Sequence, residues 1–338
     1  MLNAKNCQEI ILSHGFHLVG FTRPEISEET SNHFLSWLEN GYDADMAWIR
    51  KRTDERIFPE KYLDGIQTVI VIAKYYKNIK LSNEIKFSSY IRGQDYHDLF
   101  KKELKKISLE LNKTYGEDYT FRGCVDTSPI LERAFAQQAG VGWQGKNGMI
   151  INEKHGSYFF IGEIVTDIAS DFYNTASPDR CGTCTRCLDA CPTDAFVKPY
   201  VLDSNKCISY QTIEARGALG DNVELSDWAY GCDICQEVCP WNNENDLLQN
   251  MLYEGEHFTD NLSLAEILQL DEEGFRTKFK KSAIKRIKRE GLIRNALIIW
   301  QENRSLVDAN YVKRLFNDEN KNIQFYARKA LELDVGDN

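Results

Sequence analysis

The strongest constraint on this sequence is a concentration of cysteines. Residues 181–192 read CGTCTRCLDACP, and eight of the ten cysteines in the chain lie between Cys181 and Cys239. The N-terminus lacks the basic and then apolar segments of a secretory leader, so we expect a cytoplasmic protein. Disulfides are rare in that reducing compartment. The clustered thiols are therefore predicted to bind metal.

The cysteine spacing favours iron–sulfur clusters. The first set reads C-x2-C-x2-C-x3-C-P, and the second ends in C-x2-C-x3-C-P. Zinc held by four thiolates is the alternative, but zinc does not need three cysteines this close together. In two-cluster ferredoxins, the last cysteine of each run ligates the other cluster. That rule predicts two [4Fe–4S] clusters, ligated by Cys181, Cys184, Cys187 and Cys239, and by Cys191, Cys207, Cys232 and Cys235.

Charge and hydropathy limit the possible partners. The chain has 338 residues, enough for about two or three domains. Its 51 acidic residues exceed its 41 basic ones, so binding to a nucleic acid would require a local basic patch. The longest apolar run, TVIVIA (68–73), is too short to cross a bilayer, and we expect no membrane contact.

Residues 1–170 alternate between helical and strand patterns, which predicts an α/β domain. We expect a helix over 3–14, a strand over 17–22, a helix that begins after Ser27 and ends at Gly41, and a buried strand in IQTVIVIAKYY. An amphipathic helix is indicated by an apolar stripe, made of Tyr96, Phe100, Leu104, Ile107 and Leu111.

The later part of this domain is expected to contain a strand, a helix and a hairpin. YTFRGCVDT reads as a strand that runs into a loop at Asp126. A helix should follow, beginning at Pro129 and ending at Gly140. GMIINEKHGSYFFIGEIVTD is expected to form the hairpin.

After the cysteines, the pattern is helical, and one or two helical repeats are plausible. Residues 276–294 contain nine Lys or Arg and a single acid, Glu290. This basic stretch is either a solvated helix face or a phosphate-binding surface.

Several segments resemble the epoxyqueuosine reductase family, which is related to reductive dehalogenases. They are the stretch from CVDTSPILERAFAQQAG to FFIGEIVTD (124–167), CGTCTRCLDACPTDAF, CISYQTIEARG, YIRGQDYHD (90–98) and GCDICQEVCPWN (231–242). The resemblance implies three domains. These are an α/β (α+β) cobalamin-binding domain over 1–170, a ferredoxin-like domain with two [4Fe–4S] clusters over 171–250, and a short C-terminal helical, HEAT-like domain over 251–338.

The resemblance also implies an activity and its partners. The family reduces epoxyqueuosine to queuosine at the wobble position of tRNA, using Co(I) cobalamin fed by the clusters. The expected partners are a tRNA with a queuosine-type anticodon and an external one-electron donor such as flavodoxin or ferredoxin. We expect a monomer. A reductive dehalogenase-like enzyme acting on a small organohalide and a ferredoxin-like electron carrier are the alternatives.

By motif position, Asp126 is the family's proton donor, and we expect desolvation to keep it partly neutral. The other interpretation is a plain cap of the helix expected at Pro129. The implied cobalamin contacts, several through backbone groups, are Arg56, Asp126, Asn147, Ile150, Ile161, Ser209 and Asp233. Lys146 is either a phosphate or propionamide partner or an exposed loop lysine. The expected tRNA contacts are Arg216, which the resemblance puts nearer the anticodon, and, in the basic stretch, Lys285, Arg286, Lys288 and Arg289.

His97 raises the question of a cobalt ligand. DYHDLF begins like the cobalamin motif D-x-H-x-x-G, but Phe100 stands where the motif has glycine. We therefore expect base-off cobalamin with no protein histidine on cobalt, and His97 as a helix-surface or packing residue.

Overall fold

The computed structural model describes residues 1–76, 84–220, 223–242, 259–260 and 262–332. The strands are β1 (Leu18–Thr22), β2 (Thr68–Tyr75), β3 (Lys86–Phe87), β4 (Phe121–Cys124), β5 (Trp143–Gln144), β6 (Ile150–Ile151), β7 (Phe159–Thr166), β8 (Phe196–Lys198), β9 (Val201–Leu202) and β10 (Trp228–Tyr230). The first nine helices are α1 (Ala4–Ser13), α2 (Glu28–Glu39), α3 (Ala47–Arg50), α4 (Thr53–Ile57), α5 (Tyr96–Tyr115), α6 (Glu132–Gln138), α7 (Arg186–Asp189), α8 (Ile208–Ile213) and α9 (Ile234–Glu237). They are followed by α10 (Leu264–Leu268), α11 (Glu272–Lys278), α12 (Lys288–Glu302), α13 (Ala309–Arg314) and α14 (Lys321–Ala330).

A four-stranded sheet in the order β1-β2-β7-β4 organises the N-terminal part, and each of its strand pairs is antiparallel. Because successive side chains point to opposite faces, each strand contributes to two hydrophobic layers. Ile70, Ile72 and Ile164 pack on one face in a cluster with residues of α1 and α5. Val71 and Val165 pack on the other face in a cluster with residues of α6. The predicted mixture of helices and sheet is therefore confirmed, in its α+β form.

Helix α6 lies directly against the sheet. A Cβ atom placed on Gly20 of β1 would come within 2.1 Å of the Ala139 carbonyl oxygen, so glycine is required for this approach. The contact fixes the end of α6 on β1 and thereby sets the position of its first residue, Glu132.

Local sequence signals set several boundaries correctly. The Ser27 side chain accepts from the Thr30 amide at the start of α2, and α2 ends just before Gly41. In α5, the inward-facing residues of the predicted stripe are buried, namely Phe100, Leu104, Ile107 and Leu111.

Two predictions in this region are wrong. Helix α6 begins at Glu132 rather than Pro129, because residues 125–130 form tight turns in which the Thr127 amide bonds to the Val125 carbonyl and the Ile130 amide to the Ser128 carbonyl. The expected hairpin does not form, because β6 pairs with β5 while β7 lies between β2 and β4. The chain reverses between them in a turn, at residues 152–156.

The C-terminal helices share one hydrophobic core with part of the cysteine-rich segment. Leu292, Leu297 and Trp300 of α12 belong to the same buried cluster as Ile208 of α8 and Trp228 of β10. The predicted boundary at 250–251 lies outside the described residues. The helical character is confirmed, while a HEAT-like repeat stays a prediction.

Two buried polar residues of α12 reinforce this packing. The Arg294 guanidinium, 2% exposed, donates to the carbonyls of Gln211, Ala215 and Gly217. The fully buried Asn295 amide donates to the carbonyls of Thr212 and Ala229. These bonds satisfy carbonyl groups that would otherwise be buried without partners. Across the described ranges, no helix has the length and apolar character of a membrane span.

Candidate active site and cluster ligands

The first predicted ligand set lies together in the structure. Burial, followed by the charges of the neighbouring Cys239 and Cys181, raises the pKa of the Cys187 thiol to about 11. Burial also raises the pKa of Cys239, with contributions from Cys181 and Cys184. Such mutual effects require short distances between the groups. The fold therefore brings Cys239 to the three cysteines that precede it by some fifty residues.

The second set is assembled in the same way. Burial raises the pKa of Cys232, and the nearby Cys207 and Cys191 add to the shift. The pKa of Cys235 is raised by burial and then by Cys232 and Cys207, with a smaller effect of Cys187 from the first set. Cys207, remote in sequence, thus belongs to the second set, and the two sets are neighbours.

The donor sets suit iron–sulfur clusters. All eight cysteines of the array are free thiols, seven of them partly exposed. Within the described ranges, no three Cys, His, Asp or Glu side chains converge closely enough to hold a single metal ion. A [4Fe–4S] cluster places its four thiolates on four different irons and needs a wider arrangement. Thiolates gathered in two such groups also require nearby positive charge, which iron supplies.

One loop contacts both cysteine sets. The Lys146 ammonium donates to the carbonyls of Gly182 and Cys184, at 2.7 and 2.9 Å. The neighbouring Asn147 amide donates to the Cys235 carbonyl at 3.2 Å. Lys146 thus holds the backbone of the first ligand loop and is not an exposed loop lysine, while its interpretation as a phosphate or propionamide partner stays a prediction.

The residues assigned to cobalamin fall on the α6 side of the sheet or beside the cysteines. Arg56 is 7% exposed and donates from Nη1 to the Ile130 carbonyl, while its buried Nε has no partner in the described structure. Ile150 and Ile161 belong to the apolar cluster beneath α6. An unsatisfied donor beside an apolar surface suits an amide-rimmed macrocycle.

The remaining three assigned residues lie in or beside the cysteine segment. The Asp233 carboxylate is 1% exposed and accepts from the Ser88 hydroxyl at 2.5 Å and the Ser89 amide at 2.7 Å. The Asn147 side chain donates to the Cys235 carbonyl and accepts from the Met149 amide. Ser209 lies in the first turn of α8, close in sequence to Cys207. The side chains of Asp233 and Asn147 are thus already used within the protein, which leaves their backbone groups for a ligand.

Asp126 stands at one end of a chain of hydrogen bonds. It follows β4 with a left-handed backbone, φ 51°, and its side chain is 47% exposed. Its Oδ2 lies 2.9 Å from His97 Nε2, and His97 Nδ1 lies 2.7 Å from Asp95 Oδ1. Asp95 Oδ2 in turn lies 2.8 Å from the Lys285 ammonium. The chain therefore joins the basic stretch to the loop after β4.

These contacts decide where the proton resides. Burial alone would lower the pKa of His97, but its hydrogen bonds to Asp126 and Asp95 raise it to about 9. Burial alone would raise the pKa of Asp126, but the His97 bond and the charges of His97, Arg286 and Arg133 lower it. Near neutral pH the pair is thus a carboxylate and an imidazolium. The expectation that desolvation keeps Asp126 neutral is wrong.

The same contacts revise two other predictions. His97 stacks on Tyr96, with ring centroids 4.0 Å apart, but it is not merely a packing residue, because both ring nitrogens contact carboxylates. Asp126 is not a cap of a helix at Pro129, since no helix begins there. Sequence analysis considered His97 only as a cobalt ligand or a helix-surface or packing residue and did not single out Asp95, although both lie in the quoted YIRGQDYHD segment.

Three of the residues assigned to tRNA lie together near Asp126. Arg286 forms a two-point ion pair with Glu214. Its positive charge also helps to lower the pKa of Asp126. Arg216 donates to the Arg286 carbonyl at 3.0 Å. Lys285 pairs with Asp95.

The two remaining basic residues differ from each other. Lys288 is exposed at the start of α12. Arg289 is 7% exposed, bonds to the Leu270 carbonyl and forms an ion pair with the buried Asp318. Its assignment as a phosphate contact is wrong, because its guanidinium is used within the fold. The basic stretch is therefore neither one solvated face nor one continuous phosphate-binding surface.

Comparison with known proteins bears on this geometry. A family model described as 4Fe-4S double cluster binding domain matches residues 180–242, and one described as Epoxyqueuosine reductase QueG, DUF1730 matches residues 56–127. An epoxyqueuosine reductase of Cyclobacterium marinum is 37% identical over 85% of this chain and 94% of its own length. One from Synechocystis is 42% identical over 80% of this chain and 95% of its own length. The chain belongs to the epoxyqueuosine reductase family.

Solved structures of epoxyqueuosine reductases have the same fold. One, in complex with an epoxyqueuosine-modified tRNA-Tyr stem loop, is 27% identical with a TM-score of 0.88, covering 98% of this chain and 90% of its own. The Streptococcus thermophilus enzyme is 28% identical with a TM-score of 0.87, covering 100% and 92%. The Bacillus subtilis enzyme was solved with its catalytic aspartate loop swung out of the active site; it is 26% identical with a TM-score of 0.83, covering 98% and 90%. The resemblance noted from the motifs, and the enzyme class that it implies, are thus confirmed.

Proposed function

We propose that this protein reduces epoxyqueuosine to queuosine at the wobble position of tRNA. The observation that carries the proposal is the Asp126–His97 pair, a proton-holding site in a fold that also assembles two sets of cysteines. A related enzyme of the same fold was solved with an epoxyqueuosine-modified stem loop, which supports the substrate. An electron carrier would need no such proton-holding pair.

The site would use base-off cobalamin and two [4Fe–4S] clusters. Arg56, Ile150 and Ile161 would hold cobalamin by side chains, and backbone groups at Asn147, Ser209 and Asp233 would complete the contacts. When bound, cobalamin supplies a low-valent cobalt nucleophile and the clusters supply single electrons. His97 would not ligate cobalt, because both of its ring nitrogens are engaged by carboxylates.

The residues of the chain would manage the proton. Opening an epoxide places negative charge on oxygen, which must be protonated. The proton stored on His97 can pass through Asp126, whose carboxylate lies 2.9 Å from Nε2, to that oxygen. Asp126 then acts as the last donor in a pair rather than as a neutral acid by itself. Asp95 fixes the imidazole through Nδ1 and keeps it in the protonated state.

The surface next to Asp126 would bind the anticodon arm. Arg216, Lys285 and Arg286 lie there, and Lys288 extends the positive charge along the start of α12. The HEAT-like arrangement of the C-terminal helices would belong to this interface. We further propose a monomer that works in the cytoplasm with a flavodoxin- or ferredoxin-type donor.

An anaerobic assay tests the function. The protein is reconstituted with iron, sulfide and cobalamin and incubated with epoxyqueuosine-containing tRNA and a reduced flavodoxin. Digestion and mass spectrometry should show conversion of the nucleoside to a product that has lost one oxygen atom. Reactions without cobalamin, or with tRNA that carries guanosine at the wobble position, should give none. Full cofactor loading without any conversion would reject the proposal.

A further inference from the structure

The stoichiometry of the proposed reaction exceeds what the Asp126–His97 pair can hold. Removing an epoxide oxygen to leave a carbon–carbon double bond consumes two electrons and two protons and releases one water. The first proton joins the oxygen as the first C–O bond breaks. The second converts the resulting hydroxyl to water as the second C–O bond breaks. The pair stores one proton, on His97, so the other must come from a second group.

Glu132 is a second acidic residue in direct contact with Asp126. It is the first residue of α6 and is partly buried. Its Oε1 accepts from the Asp126 backbone amide at 2.5 Å, which ties the carboxyl group to the loop that carries Asp126. The nearby Arg56 guanidinium bonds to the carbonyls of Ser128 and Ile130 and holds the intervening loop. Glu132 thus has a fixed position next to Asp126.

A second carboxyl group lies behind Glu132. Glu163 is at the middle of β7, 0% exposed, between Val71 of β2 and Cys124 of β4 in the strand register. Neither of its carboxyl oxygens has a hydrogen-bond partner in the described part of the chain. A carboxylate buried in this way is strongly disfavoured, so Glu163 is held as the neutral acid. Burying a carboxyl group without hydrogen bonds at the centre of an otherwise apolar layer costs stability, which indicates that Glu163 has a function.

We propose that Glu132, backed by Glu163, supplies the second proton of the reaction through Asp126. The inference rests on the proposed function. After Asp126 has passed on the proton from His97, its carboxylate takes a proton from the Glu132 carboxyl and delivers it to the hydroxyl that leaves as water. Glu132 is left as the carboxylate, next to the neutral Glu163, until solvent restores its proton after release of the tRNA.

The surrounding charges agree with this role. Burial, followed by the negative charge of Asp126, raises the pKa of Glu132, and burial, followed by the charges of Glu132 and Asp126, raises that of Glu163. The positive charges of Arg133 and Arg56 lower the pKa of Glu132, but by less than burial and Asp126 raise it. The titratable groups that act on or respond to the two glutamates are Arg56, Tyr96, Cys124, Asp126 and Arg133. Glu132 is thus neutral over more of the physiological range than an ordinary glutamate.

The main test is Glu132→Gln. Glutamine keeps the size of the side chain and an oxygen that can accept from the Asp126 amide, but it has no proton to give. Cobalamin loading, iron content and tRNA affinity should match wild type. The kcat should fall by on the order of tenfold to a hundredfold with little change in KM, within the range for loss of a proton-transferring group. The exposed Glu39→Gln on α2 is the matched control and should change nothing.

Two further readouts separate proton supply from a structural role. The wild-type rate should decline as the pH rises through the elevated pKa of Glu132, and this decline should be missing from Glu132→Gln. In Glu132→Ala, small carboxylic acids such as formic or acetic acid should restore turnover in proportion to their neutral form. Glu163→Leu should unfold at a higher urea concentration than wild type and turn over more slowly.

The possible failures are distinguishable. Wild-type turnover and an unchanged pH profile in Glu132→Gln, with cofactors loaded, would overturn the inference and leave the proposed function intact. Absence of rescue by acid in a folded Glu132→Ala would also count against it. If the wild-type protein gives no queuosine, the proposed function fails and the inference fails with it.

Discussion

The Lys285 ammonium lies 2.8 Å from the Asp95 carboxylate and thereby joins the basic C-terminal stretch to the start of helix α5. Because Asp95 also contacts His97, a phosphate group that drew Lys285 away would change the charge around the proton-holding pair. In the proposed function, substrate binding and proton storage would thus share Lys285.

The basic residues near Asp126 should contribute measurably to tRNA affinity. Replacing Lys285, Arg286 and Lys288 together with glutamine should weaken binding and lower the slope of log K against log salt by about 2 to 3, since fewer counterions are released. Fluorescence anisotropy with a labelled anticodon stem loop across a salt series measures both. The same substitutions at the exposed Lys101, Lys102 and Lys105 of α5 provide the control. Equal slopes in both variants would remove these residues from the interface.

Arg289 should matter for stability instead. Its ion pair with Asp318 is buried, with both side chains 8% exposed. Arg289→Gln leaves the Asp318 carboxylate without its counter-charge and should lower the free energy of unfolding by about 3 kcal/mol. Urea denaturation measures this, with Lys288→Gln as the exposed neighbour that should cost little. Wild-type stability in Arg289→Gln would show that the pair is not formed in solution.

The His97 contacts predict a pH dependence of stability. The pKa of His97 is raised to about 9, so its ion pairs stabilise the protein fully below its ordinary pKa of 6.5, and this contribution is lost as the pH rises through about 9. His97→Gln should therefore cost roughly 1–2 kcal/mol near pH 6 and little near pH 10; the half-exposed Asp126 justifies the lower figure. Denaturation curves at both pH values would show it. An equal cost at both would contradict the charge assignment.

Asp126→Asn should separate chemistry from binding. The amide cannot carry a proton from His97 to the opening oxygen, so turnover should fall by on the order of a hundredfold or more. The pKa of His97 should fall as well, because the Asp126 bond is the first of the contacts that raise it. Single-turnover assays and NMR titration follow the two effects. Asp118→Asn, at an exposed position, is the control, and near-normal turnover in Asp126→Asn would leave the proton donor unidentified.

Cluster content provides an independent prediction. The reconstituted protein should contain about eight irons and eight acid-labile sulfides per chain. Cys207→Ala, which tests the ligand most remote in sequence, should lose one cluster, while Cys7→Ala, at a buried cysteine outside the array, should keep both. Stoichiometric zinc without iron after anaerobic purification would contradict the assignment.

Sequence patterns predicted what depends on local spacing. The apolar stripe of α5 and the Ser27 cap follow from the helical period and from a side chain that reaches a nearby amide. The Asp126–His97 contact does not follow from any spacing, because it joins the start of α5 to the loop after β4. The protonation state of the pair was therefore predicted wrongly, since desolvation was considered without its partner.

Neighbouring basic residues show the same limit. Lys288 and Arg289 are adjacent and chemically alike, yet one is exposed and the other is buried against Asp318. Their difference is set by how the start of α12 packs on α10, α11 and the loop before α14. That packing depends on tertiary contacts that a single sequence does not display.

The buried bonds of Arg294 and Asn295 bear on how this protein could evolve. These two residues of α12 donate hydrogen bonds to five carbonyl groups of residues 211–229, the segment between Cys207 and Cys232. Deleting the C-terminal helices would leave those carbonyls unsatisfied and open the apolar layer around Trp228. The C-terminal part is therefore not a removable attachment, because α12 completes the hydrogen bonding and the apolar core of residues 211–229.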